Sequence, residues 1–384
     1  MRFIHTADWH LGCLFYGKHL TDDQGYVLDQ LIRLTKDIKP DAVIVAGDVY
    51  DRSIPPPEAV SLLDETMYRL VGELHVPVIL IAGNHDSPER TEYGSRLLAS
   101  NHLHILGTLS ENQQPIRLND EYGTVNFYAV PYADPPLFRE HLSDPSLTDH
   151  DTALRAWIKQ VGPSKPSSTR NVFITHAFVM GGTSTDSERP LSVGGTSIVS
   201  PTCFDGFNYV ALGHLHRPQT IVNDRIQYSG SLMKYSFSEA EHVKSVSIVH
   251  MDASGHCDIE RVPLSPRRDV RIVKGYMQEL LKGNSPLNNH EDYVLAVLLD
   301  EGALLDPMDQ LRDIYPNILA IEKPSLLRSG NLQIAHQDHR ARTEESLFAD
   351  FFQAMTGDPL KPDEVTEVAA VVDELHRKQR EELV

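Results

Sequence analysis

Five short clusters in this chain carry side chains able to bind metal: Asp8-Trp9-His10, Gly47-Asp48-Val49-Tyr50-Asp51, Gly83-Asn84-His85-Asp86, Thr175-His176 and Gly213-His214-Leu215-His216. A mixture of Asp, Asn and His suits borderline-hard divalent ions such as manganese or iron, whereas a thiolate-rich set would point to zinc. If two ions sit about 3.5–4 Å apart, the spacing that two-metal hydrolysis uses, one carboxylate must bridge them. Each cluster alone has a plainer reading. A DxH triplet arises by chance, Gly-Asp followed by an acid is usually a turn with a capping Asp, and Gly-Asn-His-Asp is compatible with a tight turn. A single His176 would pass for a hydrogen-bonded core histidine. Their joint occurrence, each at the end of an expected strand, points instead to one shared site.

The elements that must position them follow from periodicity. A strand over Arg2–Ala7 precedes a helix-period stretch, Tyr26–Ile38, with Val27, Leu28, Leu31 and Leu34 on a shared face. The apolar run Asp41–Ala46 has the character of a strand buried on both faces. Pro55-Pro56-Pro57 opens a second helix with an apolar stripe of Val60, Leu63, Met67, Leu70 and Leu74, and Val78–Ala82 completes a βαβαβ unit. Such crossovers imply a parallel sheet. Ligands collect outside the carboxyl ends of such strands, and Asp48, on the central strand, is the natural bridge. Gly47, Gly83 and Gly213 are expected to let the chain turn sharply there. Further on, Val172–Thr175 and Tyr209–Leu212 read as strands ending at histidines. Thr220–Tyr228, around Asn223-Asp224, and Ser245–Leu264, around Asp252–Gly255, read as hairpins. A parallel half followed by an antiparallel half implies two packed mixed sheets with helices outside. Pro263–Pro266 has the composition of a linker. After it come strand, helix, strand, helix and strand over about residues 269–330.

The chain has 384 residues, room for two or three domains. It has no apolar run long enough to span a bilayer and no signal-peptide pattern at its start. Cys13, Cys203 and Cys257 show no CxxC spacing, which argues against a disulfide framework or zinc knuckle and for a reducing, cytoplasmic setting. The net charge of −19 is awkward for an enzyme of nucleic acids. Bound divalent cations or a basic partner would reconcile it.

The order DxH, GDxxD, GNHD, TH, GHxH resembles the calcineurin-like metallophosphoesterase superfamily. The fuller wording of His5–Gly12, Val45–Asp51, Ala82–Ser87 and Ala211–His216 is similar to the SbcD-type nuclease subunits of bacterial SbcC–SbcD complexes, relatives of archaeal and eukaryotic break-repair nucleases. The motifs span residues 1–250. The resemblance implies a four-layer αββα sandwich over residues 1–265, a small α/β DNA-capping domain over 269–336 and a C-terminal helical pair over 340–384. It implies two Mn²⁺, with Mg²⁺ or Fe²⁺ as alternatives. Asp8, His10, Asp48 and His216 would hold one ion; Asp48, Asn84, His176 and His214 would hold the other. His85 would contact the scissile phosphate or protonate the leaving oxygen during in-line hydrolysis, with Asp51 orienting it. Archaeal and eukaryotic relatives carry a second histidine where this chain has Asp51, so an orienting role is expected there rather than contact with DNA.

Arg52, Arg90, Arg189 and Arg217 flank the motifs and are candidates for phosphate contact, against a default of solvated surface charge. The stretch Gly181-Gly182…Gly194-Gly195 lines the substrate groove or is a surface loop. In the tail, Phe348, Phe351, Phe352 and Met355 share one helical face, and Val365, Val368, Val372 and Leu375 another. The tail packs on its own core or, as the resemblance implies, docks the SbcC ATPase. The resemblance also implies a homodimer contact within a heterotetramer, for which Thr91–Leu106, with the short apolar set Tyr93, Leu97 and Leu98, is the candidate. The activity implied is manganese-dependent cleavage of single strands. Double-strand 3′–5′ exonuclease action on ends and hairpins, in repair and recombination, would be gated by ATP through SbcC, since this chain has no GxxxxGK[ST] loop. The alternatives are a DNA-end-binding scaffold with structural metals and another phosphodiesterase built on the same site.

Overall fold

The computed structural model describes residues 1–111, 113–163, 169–189, 191, 197–283, 290–302 and 304–324, with isolated positions between 348 and 368. Contacts divide the chain into two units. The first comprises Met1–Arg271 with Glu291–Tyr293, and the second Ile272–His290 with Val294–Val384.

In the first unit the two large sheets use β1 (Arg2–Thr6), β2 (Ala42–Ala46), β3 (Val78–Ile81), β4 (Leu103–Leu106), β5 (Ile116–Asp120) and β6 (Gly123–Val130). They continue with β7 (Arg170–His176), β8 (Tyr209–Gly213), β9 (Gln219–Val222), β10 (Ile226–Tyr228), β11 (Ser245–Met251) and β12 (Cys257–Pro263). One sheet runs β12-β11-β1-β2-β3-β4 and the other β9-β10-β8-β7-β6-β5. The βαβαβ unit is present: β1 pairs in parallel with β2, and β2 with β3. Both sheets are mixed, as expected, with antiparallel pairs toward their edges, but the chain does not divide into a parallel and an antiparallel half. The second sheet is parallel through β6, β7, β8 and β10, and the β11–β12 hairpin joins the first sheet beside β1. Hairpin patterning reports local pairing but not which sheet the hairpin completes. The β9–β10 hairpin turns through Asn223 and Asp224, both at positive φ (44° and 45°), as a two-residue turn between twisted strands requires.

The sheets pack face to face. Phe3, Ile44, Ala46 and Ile81 from one meet Phe127, Val172, Ile174 and Ala211 from the other. Alternate residues Ile4, Val43, Val45 and Leu80 point the other way and are also buried. Their cover is α1 (Thr21–Ile38), which buries Val27, Leu28, Leu31 and Ile32, and α2 (Pro57–Met67), the crossover helices of this sheet. The outer face of the second sheet packs Phe173, Val210 and Leu212 on Phe138 of α3 (Pro135–Leu142) and Trp157 of α4 (His150–Val161). The layers are therefore helix, sheet, sheet, helix. Helix α1 begins five residues before the apolar stripe becomes readable, because its first turn is Thr21-Asp22-Asp23-Gln24. The second helix is α-helical only to Met67 and widens into a π-helical turn over Tyr68–Glu73.

The second unit is small. Its sheet is built on Val270–Gly275, Tyr293–Leu298 and Ile318–Glu322, in that order. Helices Met277–Leu280 and Pro307–Arg312 close it over Val273, Ala296, Leu311 and Tyr315. The division after Arg271 lies beyond the Pro263–Pro266 segment, which is tied to the first unit: Gln30 and Ser265 exchange hydrogen bonds of 2.7 and 3.1 Å. In the tail, the Phe348 and Phe352 rings lie 6.5 Å apart. Phe351, Met355, Val372 and Leu375 lie outside the described residues, as do Gly194 and Gly195. Tyr93 and Leu97 are exposed.

Candidate metal centre

The five clusters converge. Each stands at the end of a strand buried along nearly all its length, and the chain leaves several of these strands through left-handed backbone: Asp8 (φ 53°), His10 (46°), Asp48 (47°) and His214 (105°). Such conformations are costly for residues with a Cβ and persist only where the surroundings over-determine them. Here the loops after β1 and β2 are zipped together. Asp8 N donates to Gly47 O (3.0 Å), His10 N to Asp48 O (2.9 Å) and Leu11 N to Val49 O (2.9 Å).

The glycines act partly for a different reason than expected. Gly47 does turn at positive φ (91°). Gly83 and Gly213 have no such φ; they are where two loops must touch. A Cβ on Gly83 would overlap Asp48, and one on Gly213 would overlap the Ala46 carbonyl and lie 2.8 Å from His176 Nδ1.

At the centre is Asp48, 2% exposed. Its Oδ2 lies 3.4 Å from His176 Nε2, 3.7 Å from His10 Nε2 and 3.9 Å from His85 Nε2, while Oδ1 accepts the His85 backbone N–H at 2.9 Å. On one side, Asp8, His10 and His216 present ligand atoms to one another, and His10 Nε2 faces His216 Nε2 at 3.0 Å. On the other, Asp8, Asp48 and His176 do so, with Asn84 Oδ1 2.9 Å from His176 Nε2. His214 adjoins this side through its ring, 5.4 Å from that of His176. Its backbone N–H donates to Asp8 Oδ1 at 2.9 Å. Asp8 Oδ2 is buried with no hydrogen-bond partner, an orphan of the kind a cation satisfies.

The electrostatics fit cations. Burial pushes the His10 and His214 imidazoles well below their ordinary range, so both are neutral, with a lone pair to give. Burial opposes the charge on Asp48, but the neighbouring His176 overrides it and holds the carboxyl well below the usual range. Burial pushes Asp8 up to about 6. His176 Nδ1 is 3.0 Å from the Ala46 carbonyl, to which it donates its proton. Burial opposes charge on this ring, but Asp48 overrides it and pushes His176 up to about 9, so Nε2 also carries a proton that a bound cation would displace to make Nε2 the ligand atom.

His85 is 7% exposed and Asp51 more so. The partner of His85 Nδ1 is the main-chain carbonyl of Asp51, at 2.8 Å. The Asp51 carboxylate turns instead toward His10 Nδ1, 3.8 Å away. Asp51 therefore orients His85 through its backbone, not through the side chain that singled it out. Arg52, Arg90, Arg189 and Arg217 are all exposed.

Several residues of the site were not singled out from sequence. Asp86 accepts N–H groups from Val49 (3.0 Å), Tyr50 (2.9 Å) and Gly83 (2.8 Å), tying the Asp48 loop to the Asn84–His85 loop. Burial and the Asp48 charge push its carboxyl up to about 7 against the pull of those donors. Gln24 donates to the carbonyls of Trp9 (3.1 Å) and His10 (2.7 Å) and accepts from Gly12 N (3.1 Å). A signal existed for it: a glutamine on the apolar stripe of α1. Ser187, Glu188, Glu239 and Lys244 surround His216, and no periodicity marks them.

Two helix-flanked sheets with a buried His–Asp cluster at their strand ends, taken with the family matches that follow, make this chain a metal-dependent phosphodiester hydrolase. The calcineurin-like phosphoesterase family matches residues 1–218, and the type 5 capsule protein repressor C-terminal domain matches residues 266–356. The chain is 35% identical over 356 residues, 93% of this chain and 94% of the relative, to the SbcD subunit of the SbcCD nuclease of Staphylococcus epidermidis. It belongs to the SbcD family of calcineurin-like phosphoesterases. Similar solved structures include a dimetal phosphatase from Danio rerio, 12% identical, covering 69% of this chain and 98% of that one at a TM-score of 0.38. A Thermus thermophilus protein is 12% identical, covering 68% and 98% at a TM-score of 0.37. Among the described residues, no helix is long and apolar enough to cross a membrane.

Proposed function

We propose that this chain is a manganese-dependent DNA nuclease that works with an SbcC-type ATPase partner. The observation that carries the reading is the convergence on Asp48 Oδ2 of imidazoles from three separate strand ends, His10, His85 and His176, within 3.4–3.9 Å. Asp8, His10, Asp48 and His216 would hold one ion, and Asp48, Asn84, His176 and His214 a second. Bound there, divalent ions supply Lewis-acid polarisation of a phosphodiester and neutralise charge developing on its oxygens. Mg²⁺ and Fe²⁺ suit the same donors.

The protein's own part centres on His85. Its Nδ1–H is donated to the Asp51 carbonyl, so exchange with a substrate falls to Nε2, which faces the metal side of the pocket. Protonated at Nε2, the ring can hand that proton to the departing sugar oxygen. Arg52, Arg90, Arg189 and Arg217 are the candidate phosphate contacts. Cleavage is expected on single strands by the chain alone, and 3′–5′ on double-stranded ends and hairpins when the partner hydrolyses ATP. This agrees with a cytoplasmic role on nucleoid DNA, with residues 269–336 capping DNA, 340–384 docking the partner and two copies forming the core of a heterotetramer.

The test is His85→Ala, assayed on single-stranded DNA with manganese and on double-stranded ends with SbcC-type partner and ATP. Cleavage should vanish while manganese and DNA binding persist. Full cleavage would remove His85 from the reaction. Turnover of cyclic nucleotides in preference to DNA, or end-binding without cleavage at saturating manganese, would overturn the nuclease reading.

A further inference from the structure

The ring of His216 is handled differently from that of His176. His176 Nδ1 rests on a main-chain carbonyl, whereas His216 Nδ1 enters a side-chain relay. It lies 2.7 Å from Ser187 Oγ, which lies 2.5 Å from Glu239 Oε1. Glu239 is fully buried and Lys244 4% exposed, and the two form an ion pair. An ionised carboxylate only accepts, so the Ser187 O–H points to Glu239, and Ser187 Oγ is left to accept from His216 Nδ1–H. The chain of directions has one outcome: Nδ1 carries a proton, so Nε2, the atom that faces His10, is the one nitrogen of this ring that can offer a lone pair to an ion.

Lys244 completes the grip. Its ammonium donates to Glu239 Oε2, to the His216 carbonyl (2.7 Å) and to Ser231 Oγ (2.8 Å), which uses all three of its hydrogens. Glu188 Oε1 accepts the His216 backbone N–H at 2.8 Å. Ring, N–H and carbonyl of one residue are thus all held by buried or half-buried polar groups. For a residue serving only as packing this would be costly, since burying an ion pair rarely stabilises more than an apolar pair would.

We propose that the Ser187–Glu239–Lys244 relay is a positioning device that locks His216 in the tautomer needed to bind metal, and thereby sets the affinity of the ion at the Asp8–His10–His216 end. The assignment rests on the metal-centre reading above. Groups of this kind behind a ligand histidine typically change metal affinity about 10- to 100-fold.

The experiment titrates manganese alone into wild type, Ser187→Ala, Ser187→Thr and Glu239→Gln, following bound ion by electron paramagnetic resonance and fold by thermal melting. Ser187→Ala should weaken one of two manganese equilibria about 10- to 100-fold, and Ser187→Thr, which keeps the hydroxyl, should restore it. Single-strand cleavage by Ser187→Ala should fall at limiting manganese and recover at saturation. Glu239→Gln should act in the same direction; should it fail to fold, the Ser187 pair decides alone. Folded Ser187→Ala that binds both ions as wild type does would overturn the relay while leaving the metal centre intact. Wild type that takes up no manganese would overturn both.

Discussion

Asp86 offers the sharpest quantitative test of how this centre is assembled. Its carboxylate accepts three backbone N–H groups, from Val49, Tyr50 and Gly83, and it is 6% exposed. Asp86→Ala removes the acceptor for all three. A buried donor left without a partner costs about 1–3 kcal/mol. Allowing water to reach the most accessible of them, the two left unpaired should cost about 2–6 kcal/mol, a large fraction of a typical domain's stability of about 5–15 kcal/mol. Asp86→Asn is milder. Its oxygen, on the Oδ2 side, still serves Val49 and Gly83, while its amide opposes Tyr50 N–H at a cost of about 1–2 kcal/mol; the amide also removes a charge that burial and Asp48 disfavour, which offsets part of that cost. At about 2–4 °C per kcal/mol for a domain of this size, Asp86→Asn should melt no more than about 8 °C below wild type. Since Asp86 joins the loop of Asp48 to that of Asn84 and His85, both variants should also need more manganese for half-maximal cleavage. Chemical denaturation, thermal melting and a manganese titration measure the three quantities. Asp86→Ala with wild-type stability would refute the reasoning.

Other expectations follow from the same geometry. Gly213→Ala drives a Cβ into the Ala46 carbonyl and against His176 Nδ1; it should cost about 1–3 kcal/mol and lower manganese affinity, and unchanged binding by calorimetry would count against the close-approach argument. The Arg170 guanidinium, paired with Asp120 where both side chains are nearly buried, holds that carboxyl well below the usual range. A carboxylate depressed in this way stabilises the fold fully above about pH 4, its unfolded value, and the contribution disappears as pH falls through the folded one. Asp120→Asn should therefore lose about 2–3 kcal/mol at neutral pH and show a shallower acid limb, and parallel acid limbs for the two proteins would contradict this. Chelation should lower the melting temperature and added manganese restore it, because an ion that binds only the folded chain at 100 times its Kd adds about 2.7 kcal/mol; identical melts with and without chelator would argue against a metal centre.

Much of the site was legible before folding was considered. Asp8, His10, Asp48, Asn84, His176, His214 and His216 stand at strand ends, and both the strand pattern and the residue types are local properties of the chain. The βαβαβ unit was equally legible, because buried strands and amphipathic helices write their periods into consecutive residues. The stretch of about residues 107–170 was not: β5 and β6, with α3 and α4, carry no chemistry-bearing motif, and their burial pattern is mixed along β5.

Local residue order settles which side chains are present for metal chemistry and where, along the chain, turns deliver them. Folding in three dimensions settles which atom does what. Asp51 meets His85 through its carbonyl rather than its carboxylate, Gly83 and Gly213 serve contact rather than turning, and β11–β12 completes the first sheet. Glu239 and Lys244 reach His216 from positions 23 and 28 residues on. Direction of a hydrogen bond, closeness of two loops and pairing of distant strands are relations between segments remote in sequence. They are set by how layers pack, and no local period encodes them.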